Sequence, residues 1–482
     1  MQIIGKYGLW LFLLIVAPVR LDAQVESGSW VHPSIESGSW VDPNMESASW
    51  VDPSMGSGSW IDPSMGSHVL IISIDGLRAD ILNNSEVEIP TLRSLAANGV
   101  MAEGMQPTNP TLTWPGHTTL VTGVGAHQHH VLFNGKVMRS TDGGLPVRIN
   151  SRASKSELVR APTLYDAFFE SGLRTAEINW PATRFAETIH DGFPDSPDNV
   201  GSMTDELQWD LYEAGILSDM TNFALWQHDR AGRDRIWQQA ASYLIENRMP
   251  DLLLVHFLQY DSATHRYGLN SGESKLALEN TDALIGDLMS SLERSGQLDR
   301  TTIFVISDHG FVDTPRTILP NLMLHYEGFL ELDEDKQIIG GRAQVLATGG
   351  FGMVYFQDAT DELLIEEVKE LFEHHHGIEK VIAVDEFQDF GLPEPTESDQ
   401  VGQLAIFARP GFALNIATEH DEIELDSAAY DFALAHHGFL NHHRQMNAVF
   451  IAWGRGIDIG KEYGIIDART LIEWVKMSSR NL

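Results

Sequence analysis

The chain is predicted to be an α/β protein. Three short apolar runs, rich in β-branched residues and each suited to a strand buried on both faces, lead into acidic residues. Between them lie apolar segments at helical spacing that begin near Pro and close on Gly. The 482 residues, 43% of them hydrophobic, support a large core and leave room for about two or three domains.

Composition narrows the function. Lys and Arg number 32 against 68 Asp and Glu, a formal net charge of −36. Such a surface repels nucleic acid and anionic membranes, so no nucleic-acid-binding groove is expected. A site for an anionic substrate on this chain needs local cations, and metals supply them. There are no cysteines, which excludes disulfides, thiolate zinc sites, cysteine nucleophiles and cysteine-derived formylglycine.

Residues 1–23 have the layout of a signal peptide: Lys6, an apolar run from Tyr7 to Pro18, then Arg20 to Ala23. The run is too short for a comfortable span, and no later segment is long and apolar enough to cross a membrane. A secreted or periplasmic location is expected. From Glu26 to Met65 a ten-residue unit repeats four times, placing Trp30, Trp40, Trp50 and Trp60 at equal intervals. Ser, Gly and Pro in every unit favour an extended linker over residues 24–66. A Trp ladder for cell-wall or glycan contact is the competing reading, and a plain tether fits better because one Trp per unit buries little surface.

The catalytic domain is assigned to residues 67–482. Val69 to Ile74 reads as a central strand ending at Asp75-Gly76, and ligands of open α/β sheets bind beyond the carboxyl ends of strands. Pro90 to Gly99 and Pro162 to Gly172 read as helices, and Arg174 to Asn179 as a strand followed by Trp180. Pro194 to Gln227 is acidic and Trp-rich without clear periodicity, suited to a lid. Leu252 to Leu258 is a second buried strand, followed by Asp261 and His265 in i, i+4 relation. Ile285, Leu288, Met289 and Leu292 mark a helix closed by Gly296. Thr301 to Ile306 is the third strand and delivers Asp308-His309-Gly310. Residues 343–407 read as strand, helix (Glu362 to His374), strand, loop, strand, a small inserted α/β subdomain. His374, His375 and His376 close that helix and fit dipole compensation better than a metal site. His437 precedes a last core strand, Met446 to Trp453.

Between the first helix and the later elements lies Pro110 to Gly123, with several Thr, a His and two Pro. It suits a nucleophile on a stiff turn at a helix start, where free N–H groups face an anion. It would equally serve as a plain helix cap. Thr113 is the candidate nucleophile because Pro115 restricts the backbone just after it. Asp and His at several strand ends, with no Cys, fit two borderline-hard divalent metals on N and O ligands, the donor set of zinc pairs. Such pairs sit roughly 4 Å apart and clamp the entering and leaving oxygens of a phosphoryl displacement. A metal on the Thr113 oxygen would then replace a protein general base.

Taken together, Ile74-Asp75-Gly76, Pro110 to Pro115, Asp261 to His265, Ser307 to Gly310 and His437-Gly438-Phe439 resemble the type I phosphodiesterase/nucleotide pyrophosphatase branch of the alkaline phosphatase superfamily. The resemblance runs from about His68 to Ile457 and weakens after Lys461. It implies an alkaline-phosphatase-like core sheet flanked by helices and two zinc ions. One site would be Asp261, His265 and His437, which binds phosphate and activates water. The other would be Asp75, Asp308, His309 and the Thr113 oxygen. Thr113 would attack phosphorus to give a phosphothreonine that is then hydrolysed. The implied substrate is a small phosphodiester or nucleotide.

Two departures stand out. Gly116 occupies a position where the resemblance implies an Asn amide on a phosphate oxygen, a loss on the order of 2.7–4 kcal/mol if nothing replaces it. Gly125-Ala126-His127 stands where Tyr-Pro is usual. Trp114, Gly116 and Trp180 are the candidate substrate contacts, Trp180 either walling a leaving-group pocket or packing in the core. Phosphomonoesterase or phosphonate hydrolase of the same superfamily is the nearest alternative. A non-catalytic wall- or glycan-binding protein is the alternative from another class. Sulfatase chemistry lacks its cysteine.

Overall fold

Strand β1 (His68–Ile74) is the centre of the fold, and it is buried along nearly its whole length. Its side chains alternate between two cores: Leu70, Ile72 and Ile74 face one, Val69 and Ile71 the other. A strand covered on both faces reads as a continuous apolar run, which is why it was legible. The computed structural model describes residues 67–140, 144–195, 199–219 and 229–480. The leader (1–23) and the repeat linker (24–66) lie outside the described residues, as do parts of the segment expected to form a lid.

Around β1 an eight-stranded sheet is built. It comprises β2 (Val100–Gln106), β3 (Thr175–Ile178), β4 (Asp191–Phe193), β5 (Leu252–Phe257), β6 (Thr301–Ile306), β12 (Phe450–Gly454) and β13 (Lys461–Asp467). The order across the sheet is β13, β2, β12, β6, β1, β5, β3, β4. β1 runs parallel to β5 and β6, and only β12 runs against its neighbours. The carboxyl ends of β1, β5 and β6 therefore lie side by side, with Ile74 opposite Phe257 and Ser73 opposite Ile306. Asp75, Asp261 and Asp308 follow those ends. The mixed α/β sheet flanked by helices is the fold class expected from the sequence.

Helices cover both faces. One face carries α1 (Pro90–Ala97), α4 (Asp205–Glu213), α5 (Arg230–Asn247) and α7 (Gly272–Arg294). The other carries α2 (Thr113–Thr122), α3 (Leu164–Glu170) and α9 (Leu471–Arg480). Helices α4, α5 and α9 and strand β13 were not foreseen. In α5 the buried face includes Asp234 and Gln238 beside Ile236, Ala240 and Leu244, so its apolar stripe is broken in sequence. In β13 the first five residues are exposed, which removes the apolar signal. Helix α4 shows that the supposed lid is partly regular structure, with Leu207 and Leu211 in the core.

Asp234 explains its own burial. It accepts hydrogen bonds from the N–H groups of Leu258 (3.1 Å) and Gln259 (2.9 Å), capping from outside the helix α6 (Gln259–Tyr267). The N-cap position of α6 is Leu258, which has no side-chain cap of its own. Helix α6 carries Asp261 and His265, so a carboxylate on α5 sets where they stand.

Residues 343–408 form the small subdomain, a separate antiparallel sheet of four strands. Its strands are β7 (Ala343–Thr348), β8 (Phe351–Phe356), β9 (Ile378–Ala383) and β10 (Leu404–Ala408), with α8 (Glu362–Glu373) on one face. The first expected strand is in fact the hairpin β7–β8, in which Thr348 pairs with Phe351 across Gly349-Gly350. Gly349 has φ +59, and a Cβ there would lie 2.3 Å from the His437 carbonyl oxygen. The Gly350 N–H donates to that same carbonyl at 2.7 Å. The hairpin tip thus buttresses His437.

Asp234→Ala is expected to lower stability by about 1–2 kcal/mol, read from urea unfolding with an unchanged m-value. A variant as stable as the parent would contradict the capping role.

Candidate metal and phosphoryl-transfer site

Asp75 and Asp308 emerge from adjacent strand ends and are buried. Asp308 Oδ1 accepts the Gly76 N–H at 3.2 Å, which ties the two ends together. His309 Nε2 lies 3.3 Å from Asp75 Oδ1 and 3.1 Å from Asp308 Oδ2. From the first turn of α6, Asp261 Oδ1 lies 3.3 Å from His265 Nε2, one turn further on, and 3.9 Å from His437 Nε2. His309 and His437 stack with ring centroids 3.6 Å apart, so the two clusters adjoin. Ligand atoms of Asp75, Asp308 and His309 lie within 4.8 Å of one another, as do those of Asp261, His309 and His437.

The three histidines share one orientation device. Nδ1 of His265 meets the Ala435 carbonyl at 2.7 Å, that of His309 the Gly310 carbonyl at 3.1 Å, and that of His437 the Thr111 carbonyl at 3.1 Å. An Nδ1–H given to a carbonyl leaves Nε2 as the lone-pair nitrogen, and each Nε2 faces carboxylates. Asp75 Oδ1, Asp261 Oδ1, Asp308 Oδ2 and His309 Nε2 are buried without a hydrogen bond. Among the described residues no Lys or Arg pairs with any of the three carboxylates. Buried acceptors facing one another across 3–4 Å, with no donor between them, fit bound divalent cations.

Burial, then the charges of Asp308 and Asp261, push the Asp75 carboxyl well above the usual carboxylate range. For His265 burial is the largest single influence and acts downward, but the Asp261 charge, the hydrogen bond to Asp261 and the one to the Ala435 carbonyl together outweigh it, and the net shift is upward. Both shifts favour the protonated form, which lowers the negative charge of the cluster.

Thr113 opens α2, with Leu112 at the N-cap in an extended conformation. Pro115 falls in the first turn, where a missing N–H costs no helical bond. The loop before it is bolted to the His437 segment, since Thr111 Oγ1 donates to the Phe439 carbonyl at 2.7 Å. One turn on, His117 Nδ1 lies 2.8 Å from the Thr113 carbonyl and 3.4 Å from Asp308 Oδ2, and Nε2 lies 2.9 Å from Ser73 Oγ. His117 therefore holds Thr113, Asp308 and β1 in one arrangement. His256, on β5, does the same for Asp75, with Nε2 3.2 Å from Asp75 Oδ2 and Nδ1 3.0 Å from the Asn179 carbonyl.

The expected substrate contacts need correction. Gly116 does not line open space: a Cβ there would lie 3.0 Å from both Asp308 Cβ and the Asp308 carbonyl oxygen. Glycine at 116 lets α2 close on the second cluster. Trp180 is fully buried, edge-on to His117 at 4.9 Å, so it packs in the core and walls no pocket. Trp114 is also largely buried, and its indole N–H donates to Asp195 at 3.1 Å. A residue the sequence reading missed is Asn134. Its Oδ1 accepts the Trp114 N–H at 3.0 Å, placing an exposed side-chain amide at the mouth of α2 beside Thr113. Asn134 sits in a turn far along the chain, followed by Gly135, and its spacing from Thr113 carries no local pattern.

The family described as type I phosphodiesterase/nucleotide pyrophosphatase matches residues 69–439. The human ectonucleotide pyrophosphatase/phosphodiesterase family member 7 is 24% identical over 395 residues, covering 82% of this chain and 76% of that protein. An uncharacterised pyrophosphatase/phosphodiesterase of Schizosaccharomyces pombe is 27% identical over 253 residues, 51% of this chain and 45% of that one. Among solved structures, human ectonucleotide pyrophosphatase/phosphodiesterase 5 superposes with a TM-score of 0.63 at 16% identity, over 86% of this chain and 95% of that chain. The murine counterpart, described as an inactive threonine-to-alanine variant in complex with AMP, gives 0.63 at 17% identity with the same coverage.

Cation binding competes with protons on the carboxylate and imidazole ligands, and the upward shifts of Asp75 and His265 strengthen that competition. Calorimetric titration of chelator-stripped protein with Zn2+, in buffers of different ionisation enthalpy, should show proton release that grows as the pH is lowered. Because both groups must deprotonate, affinity should fall as pH is lowered; binding without proton release would contradict the assignment.

Proposed function

The chain belongs to the type I phosphodiesterase/nucleotide pyrophosphatase family, and from this premise we propose that it is a metal-dependent hydrolase of phosphodiesters or nucleotides with Thr113 as nucleophile. The observation that carries the reading is the cluster of buried carboxylate and imidazole atoms lacking donors, set against the first turn of α2. Asp261, His265 and His437 would hold one divalent cation; Asp75, Asp308, His309 and the Thr113 hydroxyl would hold the second. The N and O donor set favours zinc. When bound, such a pair supplies Lewis acidity toward the phosphoryl oxygens and lowers the pKa of a coordinated hydroxyl.

The chain's own residues perform the rest. Thr113 Oγ1 gives up its proton to solvent and forms the new bond to phosphorus as the bond to the leaving oxygen breaks, and that oxygen takes a proton from solvent and departs as an alcohol. This gives a phosphothreonine, which water then hydrolyses to free phosphate or phosphomonoester and threonine. The positive end of α2 faces the transferring group. The Asn134 side-chain amide, its oxygen fixed by Trp114, supplies the donor to a phosphoryl oxygen. That role replaces the one expected of an amide at position 116. His117 and His256 keep Asp308 and Asp75 in place without touching substrate.

Export through the leader at residues 1–23, with residues 24–66 as a tether, completes the proposal; it rests on the sequence pattern alone. No helix among the described residues is long and apolar enough to cross a membrane. A phosphomonoesterase or phosphonate hydrolase would use the same atoms, and the choice among them is a matter of relative rates.

The test is a substrate panel on one zinc-loaded preparation: an aryl phosphodiester, an aryl thymidine-monophosphate ester, an aryl phosphomonoester and an aryl phosphonate. The diester and nucleotide ester should turn over fastest. Thr113→Ala should lower kcat by about 10⁴-fold with bound metal retained, and Asn134→Ala by about 10²–10³-fold. Full turnover by Thr113→Ala would sink the nucleophile assignment, and a faster monoester would transfer the function to the phosphomonoesterase reading.

A further inference from the structure

Two groups of His and Glu outside the catalytic cluster bring ligand atoms within 4.8 Å of one another: His375, His376 and Glu424, and Glu379, His442 and His443. They differ in charge balance. In the first, Glu424 is already held by Arg316, Nε to Oε1 at 2.8 Å, so a cation would have to compete with a guanidinium. Its neighbour His374 turns Nδ1 to the Glu370 carbonyl at 2.6 Å, closing α8. In the second, among the described residues no Lys or Arg pairs with Glu379.

The second group also has suitable geometry. Glu379, on β9, places Oε2 2.8 Å from His443 Nε2 and Oε1 3.5 Å from His442 Nε2. The two rings lie on the same side of the chain, with centroids 4.3 Å apart. Tetrahedral zinc at about 2.0–2.2 Å from each ligand sets its ligands about 3.3 Å apart, between the two observed separations. The His442 side chain is 61% exposed, so it has room to turn. Both histidines, though not Glu379, border an open cleft of about 500 Å³ lined also by Arg78 and Arg444, which gives a cation access from the histidine side. Arg78 is paired with Asp80 and Arg444 with Glu103, so neither cation is left to repel a third.

We propose that Glu379, His442 and His443 form an additional binding site for a divalent cation of the zinc class, separate from the catalytic pair. Glu379 belongs to the small subdomain, whereas His442 and His443 lie five and six residues beyond His437. A cation there clips β9 to the loop that carries a catalytic ligand, adding to the contact between Gly350 and His437.

The experiment is equilibrium dialysis of the chelator-stripped full-length protein against Zn2+, with zinc counted per chain. Wild type should hold one more ion than Glu379→Gln and than the double variant His442→Ala/His443→Ala. His375→Ala/His376→Ala should hold as many as wild type. Glu379→Gln is nearly isosteric at a partly exposed position, so its fold should be retained. Equal zinc in wild type and Glu379→Gln overturns the proposal, as does an ion lost from the 375/376 variant instead. The readout is a difference, so it stands apart from the catalytic assignment: one ion in wild type and none in Glu379→Gln would support this site while contradicting the paired catalytic cations.

Discussion

Three carboxylates, Asp75 and Asp308 buried and Asp261 with its side chain 13% exposed, gather at the carboxyl ends of parallel strands without a Lys or Arg partner among the described residues. Moving one ion into a low-dielectric interior carries a penalty of several kcal/mol even after relaxation, and like charges at this range add repulsion. The upward shifts of Asp75 and His265 favour protonated forms that lighten that load. Divalent cations would lighten it further and use the lone pairs that face one another. Much of the surrounding construction is intelligible as preparation for them.

That construction is a layer of backbone carbonyls, histidines and helix caps behind the ligands. Carbonyls of Ala435, Gly310 and Thr111 aim three imidazoles. His117 and His256 brace Asp308 and Asp75 from the core side, their own ring centroids 4.2 Å apart. Asp234 sets the start of α6. The small subdomain contributes as well, because its first hairpin turns on two glycines pressed against the His437 backbone. Removing ligand-supporting groups in such layers commonly costs 10- to 100-fold in metal affinity or activity, so under the proposed mechanism this subdomain would act on the site through the His437 backbone.

How much of this could be read from the sequence follows from where the information lies. β1, β5 and β6 were legible because strands covered on both faces are continuously apolar, and Asp75 and Asp308 because they follow those strands at once. Asp261 and His265 were legible as an i, i+4 pair. Asp234, His117, His256 and Asn134 were not, since each acts through a neighbour that only the fold supplies. Helix α5 escaped because its functional Asp sits in its apolar stripe. For Gly116, sequence identifies a missing side chain, whereas only the packing of α2 shows how closely that position approaches Asp308.

The net charge of −36 makes the same demand at larger scale, since an anionic substrate must approach a strongly acidic protein. The proposed cations at the mouth of α2 would answer both problems. The most direct measurement is anomalous diffraction at the zinc absorption edge from crystals of the zinc-loaded protein. Two peaks are predicted in the catalytic cluster, one among Asp261, His265 and His437 and one among Asp75, Asp308 and His309 beside Thr113. A single peak shared by the six residues, or none, would contradict the account.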